Sequence, residues 1–96
     1  MFSIFKKRKP FFGFAMNTEW DICNIGMADL AASAKAHGAR AYILYRGTDR
    51  YFAVQLDPEM EKAALVKTMQ HILPDTPVEV LQDEIRHIEV DSIMPL

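Results

Sequence analysis

Hydrophobic and polar residues recur along the first part of the chain in patterns that predict a strand followed by a helix. An aromatic-rich stretch from Phe11 to Met16 follows Pro10 and predicts the first strand. Gly38 is the residue type that favours a left-handed cap at the end of a helix. The residues that recur at helical spacing before it are Trp20, Cys23, Met27, Leu30, Ala31 and Ala34. Gly26 disfavours a helix interior and leaves open a helix that begins only near Met27.

The segment from Ala41 to Leu56 alternates in polarity and predicts a β-hairpin. Pairing Arg46 with Tyr51 across a turn of residues 47–50 produces one wholly apolar or aromatic face. That face contains Ala41, Ile43 and Tyr45 opposite Phe52, Val54 and Leu56. The other face contains Tyr42, Leu44 and Arg46 beside Tyr51, Ala53 and Gln55, a mixture that suits partial exposure. A slip of one residue would mix the two faces, so the pattern favours this pairing.

The second half of the chain contains a further helix and one or two strands. Asp57-Pro58-Glu59 combines a capping side chain, a first-turn proline and an acidic first turn, so a helix is predicted to begin there and to end before Pro74. Its predicted buried stripe is Leu65, Val66, Met69, Ile72 and Leu73. The run from Pro77 to Leu81 predicts a strand. The run "DEIRHIEV" fits a helical turn or an edge strand, and the strand is preferred.

The predicted order is therefore βαββαβ, with an uncertain C-terminal element. Two helices on one face of an antiparallel sheet bury these stripes economically, which predicts an α+β two-layer sandwich of the ferredoxin-like kind. The alternative is a different α+β strand order with an extra C-terminal strand. No sequence motif identifies a family.

Length and charge define a short tail and one domain. The 96 residues suffice for a single modest core, so we expect a basic and aromatic tail over residues 1–10 and one α+β domain over 11–96. The chain has a formal charge of −2. Lys6, Lys7, Arg8 and Lys9 supply four of its eleven cations, and the remaining seven cations face thirteen anions. The acidic domain repels phosphate backbones, which disfavours nucleic-acid binding by the folded part.

Cysteine usage and apolar runs indicate a cytoplasmic protein. Cys23 is the only cysteine, which excludes an intrachain disulfide and fits a reducing compartment. The apolar run after the cations, from Phe11 to Met16, is too short for an export signal. The apolar-rich run from Met27 to Ala36 contains Asp29, Ser33 and Lys35, so it does not predict a membrane span.

Sequence motifs for catalysis, cofactors or metals are not found. The glycines build no phosphate-binding loop, and His37, His71 and His87 lack the short spacings of zinc sites. We therefore expect no cofactor and no metal. The helical phase of Cys23 favours a core position, so an enzyme with an unrecognised Cys/His site is an alternative rather than the preferred interpretation.

The tail is the first of two candidate interaction surfaces. Its aromatic and basic side chains could contact an anionic membrane weakly, or a nucleic acid, or could only keep the terminus soluble. These side chains are Phe2, Phe5, Lys6, Lys7, Arg8 and Lys9. Contact with a membrane or with a nucleic acid would make the protein a peripheral membrane or nucleic-acid-associated factor, which is the alternative to a protein-binding module.

The second candidate surface is the mixed face of the hairpin, with Tyr42, Arg46 and Tyr51 together and Arg50 at the tip. Tyrosine and arginine are enriched at protein interfaces, because they combine large contact area with directed hydrogen bonds. The preferred prediction is therefore a non-catalytic module that binds another protein or a second copy of itself. An inhibitor, an immunity factor, an adaptor or an assembly subunit would fit this description.

Overall fold

The computed structural model describes residues 7–17 and 27–96. This part of the chain is an α+β unit with a five-stranded antiparallel sheet and three helices. The elements are β1 (Lys9–Asn17), α1 (Met27–Ala36), β2 (Arg40–Arg46), β3 (Asp49–Gln55), α2 (Lys62–Ile72), α3 (Val78–Glu84), β4 (Ile85–Val90) and β5 (Ser92–Pro95). The strand order across the sheet is β4-β1-β3-β2-β5.

This order corrects the predicted ferredoxin-like βαββαβ arrangement. The described elements follow one another as βαββααββ, with α3 inserted before β4 and β5 added at the edge of the sheet. The added C-terminal strand agrees with the alternative prediction. The first strand lies where it was predicted but begins at Lys9, two residues earlier.

The segment predicted as a strand from Pro77 to Leu81 is the short helix α3. The Pro77 carbonyl oxygen accepts hydrogen bonds from the amides of Val80 (3.0 Å) and Leu81 (3.2 Å), which closes the first turn. Only Leu81 of this helix is buried, and it shares the core with Ile85 four residues later. A helical turn thus buries this pair while it leaves Val78 exposed, although the local valines favour a strand. The following run is a strand, β4, as preferred.

The predicted start of α2 at Asp57 is also wrong. The Asp57 carboxylate accepts a hydrogen bond from the Glu59 amide at 2.9 Å, and the Asp57 carbonyl accepts one from Met60 at 3.2 Å. These bonds form a separate turn, and the helix begins only at Lys62. The predicted stripe of α2 is buried as expected.

The end of α1 confirms the glycine cap. The amide of Gly38 donates to the Lys35 carbonyl at 3.0 Å, and the amide of Ala39 donates to the Ala34 carbonyl at 2.9 Å. Gly38 has a φ of 75°, so the pattern is that of a Schellman motif with His37 as the last capping residue. Trp20 and Cys23, which belong to the predicted helical stripe, lie outside the described residues.

The main core lies between the helices and one face of the sheet. All three described helices contribute to it, as do the apolar faces of β1, β2 and β3. Its buried residues include Phe14, Ala34, Ala41, Phe52, Val54, Leu65, Met69, Ile72, Leu81 and Ile85. The apolar hairpin face is therefore directed towards the helices, as predicted.

The hairpin register differs from the prediction by two residues. Arg46 pairs with Asp49 rather than Tyr51, because the turn consists only of Gly47 and Thr48. Gly47 has a φ of 59°, the left-handed conformation that tight hairpin turns require. A shift of two residues leaves every side chain on its predicted face, which is why the polarity pattern could not detect it.

The sheet curls until its two edges meet. β4 and β5 lie at opposite ends of the strand order, yet only Asp91 separates them in the chain. β4 pairs with β1 on one side, and β5 pairs with β2 on the other. The Asp91 amide donates to the Tyr45 carbonyl at 2.7 Å, so the end of β2 is joined to this junction.

The curled sheet encloses a second core on the face that turns away from the helices. Its buried residues are Phe11, Ala15, Leu44, Tyr51, Ala53, Ile88 and Val90. On this face the central strands β1 and β3 carry small residues, namely Gly13, Ala15 and Ala53. A Cβ atom on Gly13 would collide with the Val54 carbonyl oxygen, so this position requires glycine.

Candidate binding cleft

The predicted hairpin surface is corrected first at Tyr51. Its side chain belongs to the second core and is only 7% exposed. The Arg86 guanidinium lies 5.6 Å from the centre of the Tyr51 ring and donates to the Ala15 carbonyl at 2.8 Å. Tyr51 is therefore a core residue and not an exposed anchor for a partner.

The other three predicted residues do not form one surface with it. Tyr42 is half-buried, with its ring 5.9 Å from that of Phe11 and its hydroxyl donating to Gln55 Oε1 at 3.3 Å. Arg46 is exposed at the far end of β2. Arg50 is exposed too, but it pairs with Tyr45 and so belongs to the opposite face of the hairpin.

The tail residues are described only in part. Phe2, Phe5 and Lys6 lie outside the described residues, whereas Lys7, Arg8 and Lys9 are exposed. Arg8 Nε donates to Asp91 Oδ1 at 3.2 Å, and Lys9 is already part of β1. Contact of this tail with a membrane or a nucleic acid stays a prediction.

A cleft of about 530 Å³ lies where α1 connects to β2 beside the end of β5. We name it the α1–β5 cleft. Small side chains dominate its apolar lining, and Tyr42 forms part of the wall. The lining residues are Ala31, Ala32, Lys35, Gly38, Ala39, Arg40, Ala41, Tyr42, Pro95 and Leu96.

Two cations, Lys35 and Arg40, flank the apolar lining of the α1–β5 cleft. Both are exposed, and neither forms an ion pair with a carboxylate in the described part of the chain. Leu96, half of whose surface is exposed, adds an apolar side chain to the rim. This arrangement can bind an apolar group that carries negative charge beside it.

The local structure explains why these residues meet. The Schellman motif ends α1 just after Lys35 and directs the chain through Ala39 into Arg40 at the start of β2. On the other side, the Leu96 amide donates to the Ala41 carbonyl at 3.0 Å and holds the end of the chain against β2. Sequence reasoning missed the cleft because residues 31–42 and 95–96 meet only after the sheet has curled.

Within residues 7–17 and 27–96, no group of three or more histidine, cysteine, aspartate or glutamate side chains is placed to hold a metal ion. Cys23 lies outside these residues, so the alternative of a Cys/His enzyme stays a prediction. Among the described helices, none has the length and apolar character needed to cross a bilayer.

Comparison of the chain with protein families, curated proteins and solved structures finds no match.

Proposed function

We propose that the chain is a small, non-catalytic, cytoplasmic module that binds another protein through the α1–β5 cleft. The observation that supports this most directly is the pair of cations, Lys35 and Arg40, which have no described ionic partner beside an apolar lining. Their positive charge is local, because anions outnumber cations in the whole chain, thirteen to eleven. They favour a ligand that supplies the missing negative charge.

The occupant proposed is a peptide segment with an apolar side chain and neighbouring carboxylates. An apolar side chain would contact the alanines, while its carboxylates would reach Lys35 and Arg40. The polar side chains of the lining are all exposed or half-buried, so a small ligand would gain few water-excluded hydrogen bonds. A peptide segment gains from contacts spread along the open cleft instead.

The protein-binding role is the one predicted from the sequence, but the proposed surface is the α1–β5 cleft instead of the mixed face of the hairpin. Tyr42 remains part of it, whereas Tyr51 belongs to the interior and Arg46 lies at the other end of β2. An inhibitor, an immunity factor, an adaptor or an assembly subunit would all act through one such cleft. A second copy of the chain would fit the same chemistry through its Asp57–Glu61 turn, where Met60 is exposed between carboxylates.

Selection from a random peptide display library on the immobilised chain tests the proposal. We expect enriched peptides to carry aspartate or glutamate beside an apolar side chain. The variant K35E/R40E should bind a selected peptide at least about tenfold more weakly, because two attractive charges become repulsive. The variant Ala32→Phe should also weaken binding, because it fills the cleft without changing its charge.

The matched control is R46E/K67E, which changes the net charge equally at two exposed positions outside the cleft. It should leave peptide affinity unchanged. Failure to enrich any acidic and apolar peptide would contradict the proposal, as would equal losses in both double variants. Concentration-dependent light scattering identifies self-association: a dimer that K35E/R40E abolishes would make the second copy the occupant.

A further inference from the structure

Two histidine side chains meet on the surface where α1 and α2 end. His37 is the last capping residue of α1, and His71 lies in the last turn of α2. Their ring centroids are 5.9 Å apart, with a tilt of 41° between the ring planes. Both side chains are exposed, so a solute can reach the two rings.

A hydrogen bond of the His37 side chain determines which of its ring nitrogens keeps a free lone pair. Its Nδ1 lies 2.9 Å from the Ser33 carbonyl oxygen, which can only accept, so Nδ1 carries the proton. In the neutral ring, Nε2 is then left with a free lone pair. A ring N–H donated to a backbone carbonyl is the arrangement that orients most metal-binding histidines.

The surroundings hold the two rings together. Ser33 Oγ donates to the Ile72 carbonyl at 2.9 Å and so links α1 to the end of α2 beside both histidines. Metal–nitrogen distances of about 2.0–2.1 Å allow two imidazole rings on one ion to have centroids roughly 5–6 Å apart. The C-terminal ends of α1 and α2 carry the negative ends of the helix dipoles, which favours a cation beside the two rings.

We propose that His37 and His71 form a two-histidine site for a divalent transition metal ion such as Zn²⁺, with water completing the coordination. The bound ion links the end of α1 to the end of α2. Imidazole nitrogen is a preferred ligand of Zn²⁺, Ni²⁺ and Cu²⁺, whereas Mg²⁺ and Ca²⁺ require oxygen ligands. The site therefore selects against the latter two ions.

Titration of the full chain with ZnCl₂, followed by NMR of the histidine ring nitrogens, tests the site. We expect Zn²⁺ to shift the Nε2 resonance of His37 and a ring-nitrogen resonance of His71, and MgCl₂ to shift neither. His37→Ala and His71→Ala should each lower the affinity for Zn²⁺ by about tenfold or more, since each removes one of two protein ligands. Calorimetry measures that affinity.

His87→Ala is the matched control, because His87 is exposed but its ring lies against Phe12, with centroids 4.6 Å apart. It should leave Zn²⁺ affinity unchanged. Absence of Zn²⁺ binding would overturn the proposal. So would equal affinity in the wild type and the two single variants, because the ion would then be held elsewhere, for example by the thiol of Cys23.

Discussion

Leu44 and Tyr51 face each other across the β2–β3 pairing, and both are buried in the second core. The alternating pattern assigned them correctly to the face that turns away from the helices. It could not show that this face is enclosed, because alternation records only that two faces differ. The consequence for function is direct, since a buried tyrosine contributes to stability rather than to a docking surface.

Replacement of Leu44 by alanine measures this burial. We expect the free energy of unfolding to fall by roughly 2–5 kcal/mol, because the change leaves a cavity in a fully buried site. Met94→Ala, at a position about half exposed on β5, should cost less than about 0.5 kcal/mol. Urea denaturation compares the two variants, and equal small losses would show that the second core does not exist.

At the scale of elements, the bend between β4 and β5 determines the shape of the sheet. Asp91 occupies the bend, and its carboxylate accepts from the Gly47 amide at 2.7 Å and from Arg8 Nε at 3.2 Å. One residue thus holds together the hairpin turn, the start of β1 and the β4–β5 junction. No local pattern in the sequence predicts this role, because the hydrogen-bond partners of the Asp91 carboxylate lie 44 and 83 residues away in the chain.

Replacement of Asp91 by alanine should therefore loosen the closure of the sheet. We expect a loss of about 1–3 kcal/mol in the free energy of unfolding, because two hydrogen-bond donors lose a charged acceptor. Hydrogen exchange should quicken at the amides that pair β2 with β5 more than in α2.

Glu89→Ala, two residues earlier and exposed, is the control and should change stability by less than about 0.5 kcal/mol. An Asp91→Ala protein as stable as this control would contradict the role given to the junction.

At the scale of the whole molecule, the sequence predicted the features that depend on local polarity. It did not predict the features that depend on contacts between distant residues. The α+β class, the hairpin faces, the stripe of α2 and the cap at Gly38 all follow from spacing within short segments. The two-residue register shift preserves both faces, so polarity could not exclude it. The curled sheet, the α1–β5 cleft and the His37–His71 pair join residues far apart in the chain, so no local pattern reported them.

The binding of a partner at the α1–β5 cleft, and not at the hairpin tip, is the proposal on which the function depends. Backbone amide NMR spectra of the chain, recorded with and without a selected acidic and apolar peptide, test this directly. We expect chemical-shift changes that cluster in the lining of the cleft, at Ala31, Ala32, Lys35, Arg40 and Tyr42. Changes that cluster instead at residues 46–50, with those positions silent, would contradict it.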